Sequence, residues 1–111
     1  MTHTIQEIIG RIDSIPALQG KVVYDHFTTP VNPPFAAYYY TFNTSGADDY
    51  NAIQWIDFTL EIYSDPRDIA LETTVVKALI DFEIDAETTF ISNENMYCTT
   101  LTFTFINKLN T

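Results

Sequence analysis

The sequence predicts an α+β domain in which two helices pack on one face of a mostly antiparallel sheet of about five strands. Some segments alternate apolar and polar residues, which is the pattern of strands with one buried face. Two other segments carry apolar residues at helical spacing. Their order along the 111 residues is α-β-β-β-α-β-β. This order is typical of an α+β layer architecture, and a chain of this length is expected to form a single domain, residues 1–111.

The N-terminal part is predicted to contain a helix and one strand. Thr4 and Glu7 have the spacing of a capping box, which satisfies free N–H groups at a helix start. Pro16 ends the helix at the preceding residue or earlier. A strand is expected over 21–27, followed by a semi-rigid connection over 26–34 that carries three prolines. The apolar face of the helix is formed by Ile5, Ile8, Ile9 and Ile12.

Two strands and the second helix are predicted in the middle of the chain. A tyrosine-rich strand is expected over 35–42, and a loop of turn-forming residues over 43–51. Residues 53–63 form the clearest strand, because apolar and polar side chains alternate from Ile56 to Ile62. Asp65 is predicted to cap a helix that begins at Pro66. The face that packs on the sheet would be Leu71, Val75, Ala78, Leu79 and Phe82.

The last quarter of the chain is predicted to form a hairpin. Residues 81–87 are read as an acidic turn region, 88–92 as a strand, and 93–95 as a tight turn. Residues 97–106 alternate again, and one face is mostly threonine. The first face is Tyr97, Thr99, Leu101, Phe103 and Phe105, and the threonine face is Cys98, Thr100, Thr102 and Thr104. Cys98 lies on the threonine face of this strand.

The charge of the chain excludes several classes of function. The chain has fifteen acidic and five basic residues, giving a net charge of −10. Binding to duplex DNA or to an anionic membrane needs a cluster of Lys and Arg, which this chain lacks. A single cysteine permits no intrachain disulfide and fits a reducing compartment. The N-terminus does not resemble a signal peptide and no apolar run is long enough for a membrane helix, so a cytosolic protein is expected.

The residues that carry chemistry do not form a catalytic pattern in the sequence. His26 follows Asp25, but successive residues of a strand point to opposite sides, and no nucleophile motif lies near. Cys98 has no basic neighbour in sequence that would activate its thiol. We therefore expect no catalytic residues and no enzyme activity.

The sequence also lacks a recognisable metal or cofactor motif. Asp48 and Asp49 lie in a polar loop, but the alternating ligands and closing glutamate of a calcium loop are missing. The three glycines are too scattered to form a phosphate-binding loop. No metal and no cofactor are expected, and the acidic loop is interpreted as solvated surface.

A set of short motifs resembles one family of viral proteins. Pro33-Pro34-Phe35 opens the second strand, and Leu60–Asp65 (Leu-Glu-Ile-Tyr-Ser-Asp) closes the third. A helix with Leu71-Glu72 near its start follows, and 91–97 (Ile-Ser-Asn-Glu-Asn-Met-Tyr) turns into an aromatic last strand. In this order and spacing, over about residues 22–106, the sequence resembles the tail-terminator (tail-completion) proteins of long-tailed siphophages.

The resemblance implies a structural protein of the virion tail, assembled in the host cytoplasm. Such a protein caps the growing tail tube as a hexameric ring, ends elongation, and provides the surface that joins the head. The implied partners are other copies of the chain, the major tail-tube protein and a head-completion protein, while DNA passes through the lumen without specific binding. The family carries no catalytic residues.

A ring subunit needs an exposed apolar seam, because its contacts with neighbouring copies close by rotation. The tyrosine strand, the 43–51 loop and the 26–34 connection are the candidates for such a seam. We also hypothesise that acidic residues, with Asp48 and Asp49 as candidates, line the lumen and keep DNA from adhering. The candidate assembly residues are Tyr38, Tyr39, Tyr40, Asp48, Asp49, Tyr50, Pro33 and Pro34.

Two other functions remain open at the level of the sequence. The charge equally suits an acidic inhibitor that mimics DNA and binds the basic groove of a nucleic-acid-binding host protein. Such a mimic would lose its partner steeply with salt, whereas a tail terminator would form rings or bind tube ends. A small-molecule-binding module is the third reading, and it would require a pocket.

Overall fold

The computed structural model describes residues 2–45 and 53–108 and confirms an α+β fold with two helices and five strands. A short 3-10 turn over Pro16–Leu18, not predicted from the sequence, follows the first helix. The elements are α1 (Ile5–Asp13), β1 (Val22–Tyr24), β2 (Phe35–Ser45), β3 (Ile53–Ser64), α2 (Ile69–Ala78), β4 (Asp85–Ile91) and β5 (Met96–Lys108).

The five strands of the described ranges form one mixed sheet in the order β1-β2-β3-β5-β4. The pairs β2–β3, β3–β5 and β4–β5 are antiparallel, and only β1 runs parallel to its neighbour β2. The two central strands are the longest, and they pair over their whole length from Ile53–Lys108 to Ser64–Tyr97. One edge is β4 with the part of β5 after Thr102 that β4 does not cover, and the other is β1 with the part of β2 that β1 does not cover.

The core lies between one face of the sheet and the two helices. Phe58, at the middle of β3, is 1% exposed and lies among aromatic side chains of both neighbouring strands. Its ring stacks on Tyr38 of β2, with centroids 5.5 Å apart, and contacts Phe103 of β5 at 5.2 Å. The helices complete this core with Ile8, Ile12, Leu71, Val75 and Leu79.

Both helices begin at a side-chain cap. The Thr4 hydroxyl accepts a hydrogen bond from the Glu7 N–H at 3.1 Å, as the capping-box spacing predicts. In α2 the cap is Asp68, whose carboxylate accepts from the Leu71 N–H at 3.0 Å. The predicted cap at Asp65 and helix start at Pro66 were therefore wrong. β3 continues to Ser64, so the next four residues cross from the sheet to the helix layer before helical geometry begins.

Several strand boundaries differ from those that the sequence predicted. β1 is shorter, because Asp25 has a positive φ of 65° and turns the chain out of the sheet. β2 extends to Ser45, into the segment predicted as loop, because it pairs with β3 as far as Ile53. β4 begins at Asp85, inside the predicted acidic turn, because β5 provides a partner strand there. In both cases strand pairing overrides the turn preference of polar residues.

Replacing the central aromatic residue tests the position of the core. Phe58→Ala should lower the free energy of unfolding by about 3–5 kcal/mol, because it leaves a cavity between the sheet and the helices. The control is Trp55→Ala on the same strand, since Trp55 is 45% exposed on the other face, and its loss should cost no more than about 1 kcal/mol. Urea unfolding followed by far-ultraviolet circular dichroism measures both, and equal losses would contradict this packing.

Candidate assembly surface

The three consecutive tyrosines predicted as one seam lie on two different faces of the sheet. Tyr38 and Tyr40 point to the helix side, where both rings stack on Phe58. Tyr39 points to the opposite face and is 39% exposed. Because alternate residues of a strand face opposite sides, a run of tyrosines cannot form one surface patch. Burial also raises the pKa of the Tyr38 phenol, which agrees with its partly core role.

An aromatic cluster lies at the edge of the helix-side face, where β1 ends beside β2. Tyr24 of β1 contacts Tyr38 and Tyr40 edge-on, with ring centroids 5.5 and 5.8 Å apart. Phe42 continues the row along β2 and is 56% exposed. We call Tyr24, Tyr38, Tyr40 and Phe42 the aromatic edge. It leaves apolar area in contact with solvent at the side of the sheet, which is typical of an interaction surface.

The backbone of β2 is also free along much of this edge. β1 pairs with β2 only from Ala36 to Tyr38, and the last contact is the Asp25 N–H donating to the Tyr38 carbonyl at 2.7 Å. From Tyr39 to Ser45, no strand within residues 2–45 and 53–108 pairs with the outer side of β2. Unpaired strand edges form hydrogen bonds with added strands, so this stretch is the free edge of β2.

The proline-rich connection packs over the end of the opposite face. Phe27 contacts Phe35 edge-on at 5.6 Å, and Phe35 stacks on Tyr63 at 4.9 Å. Between the connection and the sheet lies an open groove of about 480 Å³, whose apolar floor includes Ala37 and Met96. The predicted residues Pro33 and Pro34 are half-buried at the end of this connection and are joined by a cis peptide bond.

The face of the sheet away from the helices, here called the open face, combines threonines and carboxylates. Its exposed side chains include Asp57, Asp85 and Glu87, together with threonines of β5. Thr104 donates a hydrogen bond to Asp57 at 2.8 Å, and the Tyr63 hydroxyl donates to Glu61 at 2.9 Å. Within the described ranges this face therefore presents negative charge. No group of three His, Cys, Asp or Glu in those ranges is placed to hold a metal ion.

The remaining predicted assembly residues, Asp48, Asp49 and Tyr50, lie outside the described residues. In the sequence they stand between β2 and β3. Their predicted role therefore remains a prediction.

The two histidines are placed differently from each other. The His26 Nδ1 lies 2.8 Å from the Asp25 carboxylate, and both side chains are exposed. The expectation that these neighbours point apart was wrong, because Asp25 has left the strand. His3 is buried, packs edge-on against Phe82 at 4.8 Å, and donates from Nδ1 to Glu7 at 2.8 Å.

An ion-pair cluster joins the two helices. Arg11 of α1 donates to Asp81, after α2, at 2.6 Å and to Glu7 at 2.7 Å, and its guanidinium lies over the Phe82 ring. The hydrogen bond from Arg11 holds the pKa of Asp81 below its usual range, and the bond from His3 does the same for Glu7. Arg11, Glu7 and Asp81 therefore connect α1 to the segment that follows α2.

Cys98 is buried even though it lies on the threonine face. Its thiol is 3.8 Å from the Thr100 hydroxyl, and burial raises the pKa of the thiol. A raised thiol pKa makes the reactive thiolate scarce at neutral pH. The side chain is thus a small packing residue of the sheet.

The sequence reasoning missed most of the exposed aromatic residues. Tyr24, Phe42, Trp55 and Phe90 all lie at strand edges or ends and are about half exposed. Alternation assigns such residues to a face but does not show where the helices stop covering that face. The signal that does exist is at the β4 edge, where the predicted strand over 88–92 is half as long as the predicted strand over 97–106 beside it.

Comparison with known proteins shows a likeness of fold to a solved structure. A scan against protein-family models finds no match, and a search of curated proteins finds no similar sequence. Among solved structures, the chain is similar to a chain of the virion of native gene transfer agent (GTA) particle, with a TM-score of 0.62. The two share 16% identity over 91% of each chain. This likeness shows a shared fold over nearly the whole length.

Within 2–45 and 53–108, neither helix has the length and apolar character that a membrane crossing requires.

The ion-pair cluster should make folding stability depend on pH. The carboxylates of Glu7 and Asp81 have lower pKa values in the folded state than in the unfolded state. Their contribution to the free energy of unfolding is therefore present above the ordinary carboxyl pKa range, roughly pH 4, and is lost as the pH falls through their folded pKa values. Asp81→Asn should weaken this pH dependence below about pH 5. The free energy of unfolding should change by less than about 1 kcal/mol, because solvent screens the Arg11–Asp81 ion pair. Denaturant unfolding from pH 6 to 3 measures it. Glu87→Gln, a control far from Arg11, should keep the wild-type slope.

Proposed function

We propose that this chain is a structural virion protein that caps the tail tube as a ring, ends tail elongation and provides the surface to which the head joins. The observation that carries the proposal is the shared fold with a chain of a gene transfer agent virion over 91% of both chains. The tail-terminator motifs in 33–35, 60–65 and 91–97 support the finer role. The ring is proposed to be a hexamer, as the resemblance implies.

The described surface suits a subunit that contacts identical copies. A ring built by rotation needs two different patches, one on each side of the subunit. The aromatic edge and the free edge of β2 lie on one side of the sheet, and β4 lies on the other. The groove beneath the 26–34 connection is a third surface, suited to an apolar segment of the tail-tube or head-completion protein.

The open face gives the proposed ring a lumen that does not bind DNA. Asp57, Glu61, Asp85 and Glu87 place carboxylates across neighbouring strands of this face. Negative charge repels phosphates, so DNA would pass without adhering. We infer that this face, together with the loop that carries Asp48 and Asp49, surrounds the DNA. Such a protein acts in the virion tail, needs no catalytic residues or cofactor, and assembles in the host cytoplasm.

The same carboxylates favour one second function, that of a DNA-mimic inhibitor. Four acidic side chains on one sheet face, in a chain of net charge −10, can bind a basic groove. This function requires a monomer that binds a basic host protein with steep salt dependence. It does not use the aromatic edge or the free edge of β2, and for that reason the ring role is preferred.

Assembly of the purified chain tests the proposed role. Light scattering over a range of concentrations, followed by electron microscopy, should show closed rings, or protein bound at the ends of added tail tubes. A chain that stays monomeric and leaves tube ends bare would contradict the proposal. Tight, salt-sensitive binding to a basic nuclease under the same conditions would instead favour the mimic.

Reversing charge on the open face tests the lumen assignment. Asp57→Lys with Asp85→Lys should raise the affinity of assembled rings for duplex DNA by at least about tenfold at low salt, because basic side chains release counterions from phosphates. Filter binding at two salt concentrations measures this. The control replaces Gln6, Gln19, Thr73 and Thr74 on the helix side with Lys, which changes the net charge by the same amount. An equal gain in DNA affinity in that control would show that net charge alone causes the effect, and would contradict the assignment of the open face to the lumen.

A further inference from the structure

We propose that the free edge of β2 binds the β4 edge of the next copy, so that the sheets of neighbouring subunits join into one continuous sheet. This inference rests on the proposed ring and specifies its subunit contact. It follows from three properties of the two edges: their length and hydrogen-bonding pattern, their exposed side chains, and their charge.

The two edges match in length and polarity. The free edge of β2, Tyr39–Ser45, and the whole of β4, Asp85–Ile91, are each seven residues long. In the order β2-β3-β5-β4 every pair is antiparallel, so β4 runs opposite to β2. Continuing the sheet in the same sense around a ring therefore places β4 of one copy antiparallel to β2 of the next.

The hydrogen-bonding pattern of the two edges also agrees. Tyr38 and Ala36 exchange backbone hydrogen bonds with the β1 side, so the alternate residues Tyr40 and Phe42 also direct their N–H and C=O groups outward. By the same alternation through β3 and β5, the outward residues of β4 are Ala86, Thr88 and Phe90.

Aligning the centres of the two edges sets the register. Phe42 is then opposite Thr88, and Tyr40 is opposite Phe90. Outward groups meet outward groups, giving about six backbone hydrogen bonds. The paired side chains also lie on the same face, because the outward residues of both strands are those of the helix side.

This register covers apolar side chains that are exposed in the single subunit. Phe42 is 56% exposed at one edge and Phe90 is 48% exposed at the other, both on the helix-side face. Pairing brings Phe90 against Tyr40 and the neighbouring Tyr24, extending the aromatic edge across the contact. Cross-strand aromatic pairs of this kind stabilise antiparallel sheets.

Charge selects this pairing over two copies of the same edge. β4 carries Asp85 and Glu87 on the open face, and pairing β4 with another β4 about their centres would make the two Glu87 side chains diagonal neighbours on one face. β2 carries no charged residue from Phe35 to Ser45. The acidic edge therefore meets a neutral one, and the contact joins two different surfaces, as closure by rotation requires.

The position of the two edges predicts how strands run in the ring. β4 lies level with the start of β2, near Ala36, whereas the free edge is centred at Phe42, about six residues or ~20 Å further along. Four strands per copy span ~19 Å across the sheet. Neighbouring copies are thus displaced about equally along and across the strands, which inclines the strands by about 45° to the ring axis. Closed barrels have inclinations close to this value.

Cysteine cross-linking tests the register. Cys98, the only cysteine, is first changed to Ser. In that background Thr41→Cys and Thr89→Cys lie opposite each other in the proposed register, at a non-hydrogen-bonded pair within disulfide reach. The double variant should form a ladder of covalent oligomers on a non-reducing gel, and a mixture of the two single variants should form covalent dimers. The control pair, Thr41→Cys with Asp85→Cys, is separated by about 13 Å in this register and should form none.

The alternative outcomes separate this inference from the proposed function. Rings or tube-end binding without the Thr41–Thr89 cross-link would overturn the inference and leave the ring role standing. Self-linking of Thr41→Cys alone would show pairing of β2 with β2 and also overturn it. Absence of any assembly and of tube-end binding would reject both.

A surface substitution gives a second test that keeps Cys98. Phe42→Lys should weaken ring formation by at least about tenfold, because it places a charge at the centre of the contact. The control is Ile80→Lys, since Ile80 is 74% exposed after α2 and belongs to neither of the two paired strands. Light scattering measures both variants. An equal effect of the two, or no effect of Phe42→Lys on assembled rings, would overturn the inference.

Discussion

The stack of aromatic rings around Phe58 is the contact on which the rest of the fold depends. Phe58 lies at the centre of β3 and joins Tyr38 of β2 to Phe103 of β5 across the sheet. Because side chains alternate along strands, fixing these three rings toward the helices fixes the direction of every other residue in the same strands. The threonines and carboxylates are thereby assigned to the open face, and a shift of register by one residue would expose the core.

The helices are shorter than the strands that they cover, and this difference leaves exposed the aromatic edge that is proposed for assembly. α1 and α2 cover the middle of the sheet with Ile8, Ile12 and Leu79, while the row of aromatic residues on β2 continues past them to Phe42. The row is therefore packed in the core at its Tyr38 end and exposed at its Phe42 end. Core and contact surface are parts of one aromatic row, which relates the stability of the subunit to its association.

Local patterns predicted the elements well but not their ends. Alternation located the strands, and the Thr4–Glu7 spacing located the start of α1, because these signals depend on near neighbours. The ends of β2 and β4 depend on which strands lie beside them, which is long-range information that a polar segment such as 43–45 does not carry. The candidate site shows the same division: the sequence locates the tyrosine strand, but the stacking of Tyr38 on Phe58, which sets how much of the Tyr38 ring stays exposed, depends on the neighbouring strand.

The unequal edges of the sheet also limit the strand pairings that would lead to open-ended aggregation. A long neutral edge such as Tyr39–Ser45 is a template for any strand, including that of another copy. The opposite edge carries Asp85 and Glu87, so acidic edges repel each other, and β1 blocks the start of β2. β2 therefore offers a neutral edge to an added strand, and in the proposed ring that strand is β4 of the next copy. An edge of limited length with a single complementary partner favours a closed assembly over a growing sheet.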